Sequence, residues 1–594
     1  MAAPTDATTR AAMQDAFATR YGIASKALLP PRTYPPRPTP RPPVDRTRPP
    51  GTIGRYRPVL GMAMPSLAVR TLLQLTYGLA PTSLAEFAAL GGSDQQRRTN
   101  FIESQLNWES IDDSAVENRL SAAGYNTLGK TLQQLWADHI APNPEYGIRM
   151  RPAWEVQRAA LVRAVHSKRQ LRELLVTFWH DHFNVMVSEY DAGPMFAHYS
   201  RDVIRQHAFG NFRTMLEAVA TSPSMLYFLD NRSNTRSGPN ENFARELLEL
   251  HSFGADNYLG FMNPSDVPPC PEDAAFPIGY TDIDVYETAA AFTGWSIKNG
   301  HWQFPTENDG TFVYRPLWHD SGPKYVLGRF IPPDQAEMRD GRDVLDRIAQ
   351  HPRVAKFICK KLIRRFVSDT PSQALIDSAA LVFRQNWQNA NQIRLVLRHI
   401  LLSNEARDAW GLKQRRPFEA VAATMRALGT DWTLRVGDGK SDEFMWRFGF
   451  TGHNPYDWPA PNGYPDVATA WSGSNSYAMT WKVQNWLTET GDGSAAPAPP
   501  IAPILAATRS GVPVAQWTAT RLVDFWCQRI LGYTLKNSRR QTLLSFMAQN
   551  GDPGTYVITD NDGWAAEDLK RHYNHQRLRS MVSLILMSPE FFSR

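Results

Sequence analysis

The stretch Ser66-Leu67-Ala68-Val69-Arg70-Thr71-Leu72-Leu73-Gln74-Leu75 decides the fold class. Its apolar residues recur at helical spacing, and the period returns in Leu84, Phe87 and Leu90 after Pro81-Thr82-Ser83, a helix-start signal. Outward from there the same pattern predicts helices over 153–184, 196–220, 240–252, 282–293, 333–350, 351–367, 416–428 and 563–592, with others between them. Strand-like alternation is confined to 300–315 and 324–330. The expectation is a mainly α protein: a large multi-helix body with a small β-hairpin layer and long aromatic-rich loops, notably 255–280 and 429–476.

A chain of 594 residues exceeds one ordinary core. We divide it into an N-terminal segment with a Pro/Arg-rich arm (1–60), a main helical domain (61–430) and a loop-rich segment with C-terminal helices (431–594). Within 29–50 repeated proline forbids helix and favours an extended strap, lying across the body or docking on an acidic surface. Residues 489–513, rich in Ala, Pro and Gly, read as a flexible insertion. The net charge of +6 is spread along the chain, which argues against a nucleic-acid footprint. Cys270, Cys359 and Cys527 lack CxxC spacing, disfavouring a zinc ribbon, a c-type haem and a disulfide framework, with one disulfide left open. No apolar run spans a bilayer and no signal peptide is visible, so a soluble chain is expected.

Two clusters place ionisable groups inside apolar runs, where an unpaired charge is costly to bury. The first is Phe178-Trp179-His180-Asp181-His182-Phe183-Asn184. On a helix His180 and His182 point about 200° apart, so both cannot face one metal. One imidazole is then an inward ligand while the other supports it or faces solvent; the alternative is a hydrogen-bonded core histidine amid aromatic packing. The second cluster is Asn240-Glu241-Asn242-Phe243-Ala244-Arg245-Glu246-Leu247-Leu248-Glu249. Asn240 suits a helix N-cap, Phe243, Leu247 and Leu250 form a core stripe, and Glu241, Arg245 and Glu249 are linked by i,i+4 spacing. Such ladders are commonly solvated, yet the apolar flanks here turn the acidic stripe toward other protein. The first-turn carboxylates of the helix at Asp282 are explained by its dipole. A further pair, His319-Asp320, sits on a turn beside the short strands and suits general-base or ligand duty. The basic run Lys356, Lys360, Lys361, Arg364 and Arg365 reads as a solvated helix face. No serine elbow, phosphate loop or dinucleotide fingerprint is present.

The order Phe-Trp-His-x-His-Phe, Leu-x-x-Leu-Asp-Asn, Pro-Asn-Glu-Asn-Phe-Ala-Arg-Glu-Leu-Leu-Glu-Leu-His, Tyr-Thr-x-x-Asp-Val-x-Glu-x-Ala-x-Ala-Phe-Thr-Gly-Trp and His-Asp-x-Gly-x-Lys-x-x-Leu-Gly resembles the bacterial domain-of-unknown-function family 1800, from about Ser66 to the C-terminus. The resemblance implies a large helical protein, periplasmic or secreted, with a protein partner from domain-of-unknown-function family 1501, which is similar to the phosphatase and sulfatase class. It brings no settled activity. Carried onto these positions, His180, His182 and Glu241 are candidate ligands of a divalent metal. Glu246, Glu249, His319, Asp320 and Arg245 are candidate catalytic groups, and Asn240, Asn242, Trp179, Trp295, Trp318 and Trp458 candidate substrate contacts. Together with Trp302 and Tyr456, these aromatics suit a carbohydrate or aromatic substrate. One expectation is hydrolysis or oxidation, metal-dependent or by paired acid-base groups. The rival is a non-catalytic binding or assembly protein whose motif residues form a buried structural network. A cofactor such as haem held by histidine is a third.

Overall fold

The computed structural model describes residues 62–491, 500–549, 551–560 and 574–594; the N-terminal segment 1–60 with its Pro/Arg arm lies outside them. Helix α1 (Leu67–Leu75) starts at Ser66, whose Oγ accepts the Val69 amide at 3.3 Å. The helix expected over 153–184 is two, α2 (Arg151–His166) and α3 (Gln170–His182). They part at Ser167 and Lys168, because Asp113 captures the Ser167 hydroxyl and the Lys168 amide, each at 2.7 Å.

Helix α3 runs through the centre of the core. Leu171, Leu174, Leu175, Val176 and Trp179 are fully buried, so α3 has no solvent face. Each such large apolar side chain contributes roughly 1.5–3 kcal/mol on burial. The segment expected as one helix over 196–220 contains a π-helix (Tyr199–Arg205) and, after a break at Gly210, a helix over Phe212–Ala220 capped by Asn211. A second π-helix (Glu249–Phe253) continues α4 (Asn242–Leu248). Its wider turn rotates the following residues: Leu250, expected in the core stripe, is half-buried, while His251, Ser252 and Phe253 are buried.

Three two-stranded antiparallel sheets form the small β component: β1 (Pro269–Cys270) with β2 (Asp273–Pro277), β3 (Trp295–Asn299) with β4 (Asn308–Tyr314), and β5 (Lys324–Val326) with β6 (Arg329–Ile331). Helix α5 (Asp282–Ala291) precedes β3 and opens with a capping box between Thr281 and Asp284. Helix α6 (Arg339–Gln350) packs against α5 and α7 (Pro352–Phe366), while α7 and the residue preceding α8 (Pro417–Leu428) meet the end of α3 through Lys361 and Arg416. A second hydrophobic cluster gathers Trp517, Trp526, Leu578, Ile585 and Phe592 against Ala420 and Leu428 of α8. The stretch read as a flexible insertion contains α9 (Ile504–Gly511), whose Ile504 and Thr508 are buried; residues 492–499 of it lie outside the described residues. All three cysteines are free and buried.

Candidate functional site

Because α3 is enclosed on every side, both histidines of His180-Asp181-His182 are buried, at 2% and 1% exposure. The angular spacing does separate them, but neither reaches solvent as the surface alternative required. Each meets one of the π-helices. His180 Nε2 lies 3.1 Å from Ser200 Oγ, and its ring packs at a 32° tilt against Tyr456 with centroids 4.0 Å apart. His182 Nε2 lies 3.1 Å from the His251 carbonyl, and Lys361 Nζ lies 2.8 Å from His182 Nδ1. The lysine donates, so His182 carries its proton on Nε2 and donates it to that carbonyl. Burial, then Arg205, holds His180 well below the ordinary imidazole range; burial, then Lys361, does the same to His182. Burial pushes Lys361 down to about 8.

Asp181 points a third way and accepts Arg416 Nη1 at 2.7 Å. Arg416 Nε also meets Glu419 at 3.0 Å, Glu419 pairs with Arg365, and Asp466 bridges Lys413 at 2.9 Å and Arg365 at 3.8 Å. Burial alone would raise the Glu419 carboxyl, but Arg365, Arg594 and Arg416 outweigh it and hold it well below the carboxylate range. The basic run of α7 therefore does not simply face water: Arg365 is fully buried in this network and Lys361 turns to His182, while Lys356 pairs with Glu272 and Asp377, each at 2.7 Å.

The aromatic loop lies over the end of α3. Asn184 Nδ2 donates to the carbonyls of Trp458 and Ala460 at 2.9 and 2.8 Å. Gly463, at φ 65°, sits where a Cβ would lie 1.8 Å from the Asp181 carbonyl. Tyr456 holds φ 61°, a strained value for a bulky residue, fixed by the Val187 amide on its carbonyl at 2.8 Å. A cavity of about 60 Å³ remains beside His180, lined by Ser200, Arg205 and Tyr456 among others.

On α4 the acidic stripe is half-buried, not covered by protein; Phe243, Ala244, Leu247 and Leu248 take the core face, and Asn242 is exposed. Asn240 Oδ1 accepts the Asn242 amide at 3.0 Å, and its own amide donates to Asn234 Oδ1 at 2.8 Å. Arg245 joins Glu241 to Asp282, both at 3.2 Å. Burial first and Glu249 second push the Glu246 carboxyl up to about 7. Among the described residues the fully buried Tyr280 hydroxyl has no hydrogen-bond partner, and Glu249 and Glu246 both act on it.

His319 belongs to a separate, saturated group. Its Nδ1 lies 2.9 Å from the Thr293 carbonyl and its Nε2 3.2 Å from Asp340, which also pairs with the buried Lys324 at 2.5 Å. Asp320, the sequence neighbour, instead accepts the Gly322 amide at 2.8 Å. Burial opposes ionisation of Asp340, yet hydrogen bonds from His319 and Lys324 and the lysine charge bring its carboxyl below the usual range. The candidate catalytic residues are thus divided between α4 and this group. His180, His182 and Glu241 likewise stay apart: among the described residues, no group of three or more His, Cys, Asp or Glu side chains is placed to hold a metal ion.

The candidate substrate contacts also separate. Trp179 donates to the Ala208 carbonyl in the core at 2.9 Å, Trp295 is fully buried, and Trp458 is half-buried in the aromatic loop with Nε1 on Asn462 at 2.7 Å. Trp318 alone reaches an open groove, of about 370 Å³, walled by the loop after Asn231, the end of β3, the β3–β4 connection and Leu317-Trp318. Trp302 and Leu317 stand in it at 79% and 77% exposure. Around them lie Ser233, Thr235, Ser237, Asn299 and Gln303, with Arg232 and Arg236. The groove volume falls within the range of small-ligand clefts, roughly 300–1,000 Å³. The sequence signal was the polar run Arg232-Ser233-Asn234-Thr235-Arg236-Ser237 after an apolar helix.

Fold and site together define a mainly helical protein with a rigid buried polar frame and a lateral aromatic groove. The chain matches over residues 70–593 the family described as "Protein of unknown function (DUF1800)", and it belongs to that family. No curated protein and no solved structure matches it. Among the described residues no helix is long and apolar enough to cross a membrane.

Proposed function

We propose that the protein binds carbohydrate in the Trp302–Trp318 groove, and that the His-Asp-His and Arg-Glu motifs are the frame that holds the groove walls. The observation carrying this reading is Trp302, 79% exposed beside Trp318 and ringed by hydroxyl and amide groups. An indole face packs against the C–H face of a sugar ring while hydrogen-bonding side chains meet its hydroxyls. The non-catalytic reading is favoured by the pairs His319–Asp340 and Arg416–Asp181, which engage each other inside the fold. Isothermal titration with an oligosaccharide panel tests it: binding that Trp302→Ala abolishes supports the groove, and unaltered binding overturns it.

A second reading keeps acid-base catalysis at Glu246, which is favoured by its carboxyl standing near 7 beside Glu249 and the unpartnered Tyr280 hydroxyl. It requires hydrolysis of a glycoside that Glu246→Gln removes without loss of binding. A periplasmic or secreted setting and a partner of the phosphatase and sulfatase class form part of the proposal and are supported by the family resemblance alone.

A further inference from the structure

Resting on the carbohydrate reading of this groove, we infer that its ligand is an acidic glycan, with a carboxylate or sulfate seated by Arg232 and Arg236. Among the described residues the groove lining contributes two guanidinium groups and no carboxylate. Neither arginine forms an ion pair, and no side-chain N–H of either meets an acceptor among the described residues. Other arginines near the chain surface are met within the fold: Arg149 by Asp191 at 3.0 Å, Arg213 by Asp346 at 2.5 Å and, next to the groove, Arg315 by Glu307 at 3.0 Å, while Arg347 donates to the Leu327 and Ala275 carbonyls. Among the described residues Arg172 and Arg364 also lack an ion pair; what sets Arg232 and Arg236 apart is that both line one groove beside Trp302 and Trp318.

The Arg232 side chain and the Arg236 backbone are also held in place. Arg232 lies over the Tyr227 ring, 4.6 Å from its centroid, and its Nε is buried without an acceptor. The Arg236 amide donates to the Trp318 carbonyl at 2.7 Å, tying the arginine loop to the indole wall. Between them Asn234, fully buried, donates to the Asn231 side chain at 3.0 Å and the Ala289 carbonyl at 2.9 Å. A loop fixed this way presents its cationic groups at little ordering cost, and guanidinium forks match planar carboxylate and sulfate oxygens in bidentate fashion. A neutral sugar would leave both charges unused. A nucleotide would use the arginines and one indole, but the ring of Ser233, Thr235, Ser237, Ser296, Asn299 and Gln303 suits a polyhydroxylated ligand better.

The test is titration of the full chain with length-matched neutral, uronate-containing and sulfated oligosaccharides and with a short single-stranded oligonucleotide. An acidic series is expected to bind about tenfold tighter than the neutral one, with the advantage shrinking as salt rises. Arg236→Ala, at an exposed position that leaves the fold intact, reduces that advantage, and Arg232→Ala/Arg236→Ala removes it while neutral binding is retained. Which acidic series binds identifies carboxylate or sulfate. Equal affinity for neutral and acidic sugars, or an advantage that survives in the double variant, overturns the acidic assignment; the carbohydrate reading then still stands if Trp302→Ala abolishes binding. Preference for the oligonucleotide, or sugar binding indifferent to Trp302→Ala, overturns both.

Discussion

Two regions of this molecule are dense in charge, and they are built in opposite ways. Around Asp181, the side chains of Arg416, Arg365, Glu419, Asp466 and Lys413 are buried and each charge faces an opposite one. Around Trp302, Arg236 is exposed and Arg232 half-buried, and neither meets an opposite charge among the described residues. The first arrangement is forced by desolvation: a charge removed from water must find a partner within the fold. The second is under less pressure, because water reaches Arg236 and the half-exposed Arg232 until something displaces it, and only Arg232 Nε is shut away, against the Tyr227 ring. Crowding of ionisable residues therefore marks where burial is demanding, while unmatched donors beside exposed indole mark where a ligand is received.

The sharpest way to break that contrast is Glu419→Ala. It leaves Arg365 and Arg416 facing each other without their shared carboxylate, and destabilisation of about 3–5 kcal/mol is expected in denaturant unfolding. A loss under about 1 kcal/mol would show that water reaches the network and that the frame is not sealed. Elemental analysis of protein purified without chelator, compared with His180→Ala/His182→Ala, decides whether α3 also carries metal: stoichiometric metal lost on substitution would turn the frame into a centre.

Gly463→Ala tests the cover over the same region. A Cβ there meets the Asp181 carbonyl, so the aromatic loop must lift, at an expected cost of about 1–3 kcal/mol. Near-UV circular dichroism should change with it, since Trp458, Tyr464 and Trp471 pack in that loop. Unchanged stability and spectrum would mean that the loop is not seated on α3. Trp302→Ala is the counterpart in the groove. Its stability should stay within about 0.5 kcal/mol of the parent, because the side chain covers no core, while sugar affinity falls. A stability loss comparable to that of Gly463→Ala would make Trp302 a structural residue.

Periodicity made the helical class legible, since Leu67, Leu72 and Leu75 already show a core face. It did not reveal that α3 has no solvent face, because enclosure depends on helices distant in sequence. Hence, of the two alternatives for the second histidine, support or solvent, the solvent one failed, while the angular separation was correctly read. The π-turn that takes Leu250 out of the core stripe leaves no mark in a pattern built on 3.6 residues per turn. Partners such as Asp340 for His319 or Arg416 for Asp181 lie 21 and 235 residues away, beyond any local motif. The groove escaped notice for a related reason: Arg232 and Arg236 look like ordinary loop residues until the β3–β4 connection brings Trp302 beside them.

Glu246 stands between the two regions, half-buried on α4 with its carboxyl pushed up to about 7 by burial and Glu249. The ordinary glutamate value is about 4.3, so between there and 7 the folded chain holds a proton that the unfolded chain has released. Stability attributable to this group is therefore fully present below the unfolded value and is lost as pH rises through 7. Because the side chain is partly solvated, the effect is discounted for screening to on the order of 1 kcal/mol. Glu246→Gln, permanently uncharged, should flatten that part of the stability–pH profile and leave the folded state slightly more stable at pH 8. If the slope between pH 5 and 7 persists in the variant, another group carries it and Glu246 behaves as a solvated surface carboxylate; the acid-base reading then loses the residue that favours it. If the slope disappears while sugar binding stays intact, α4 holds a proton-bearing carboxyl that plays no part in recognition, and the groove alone accounts for the ligand.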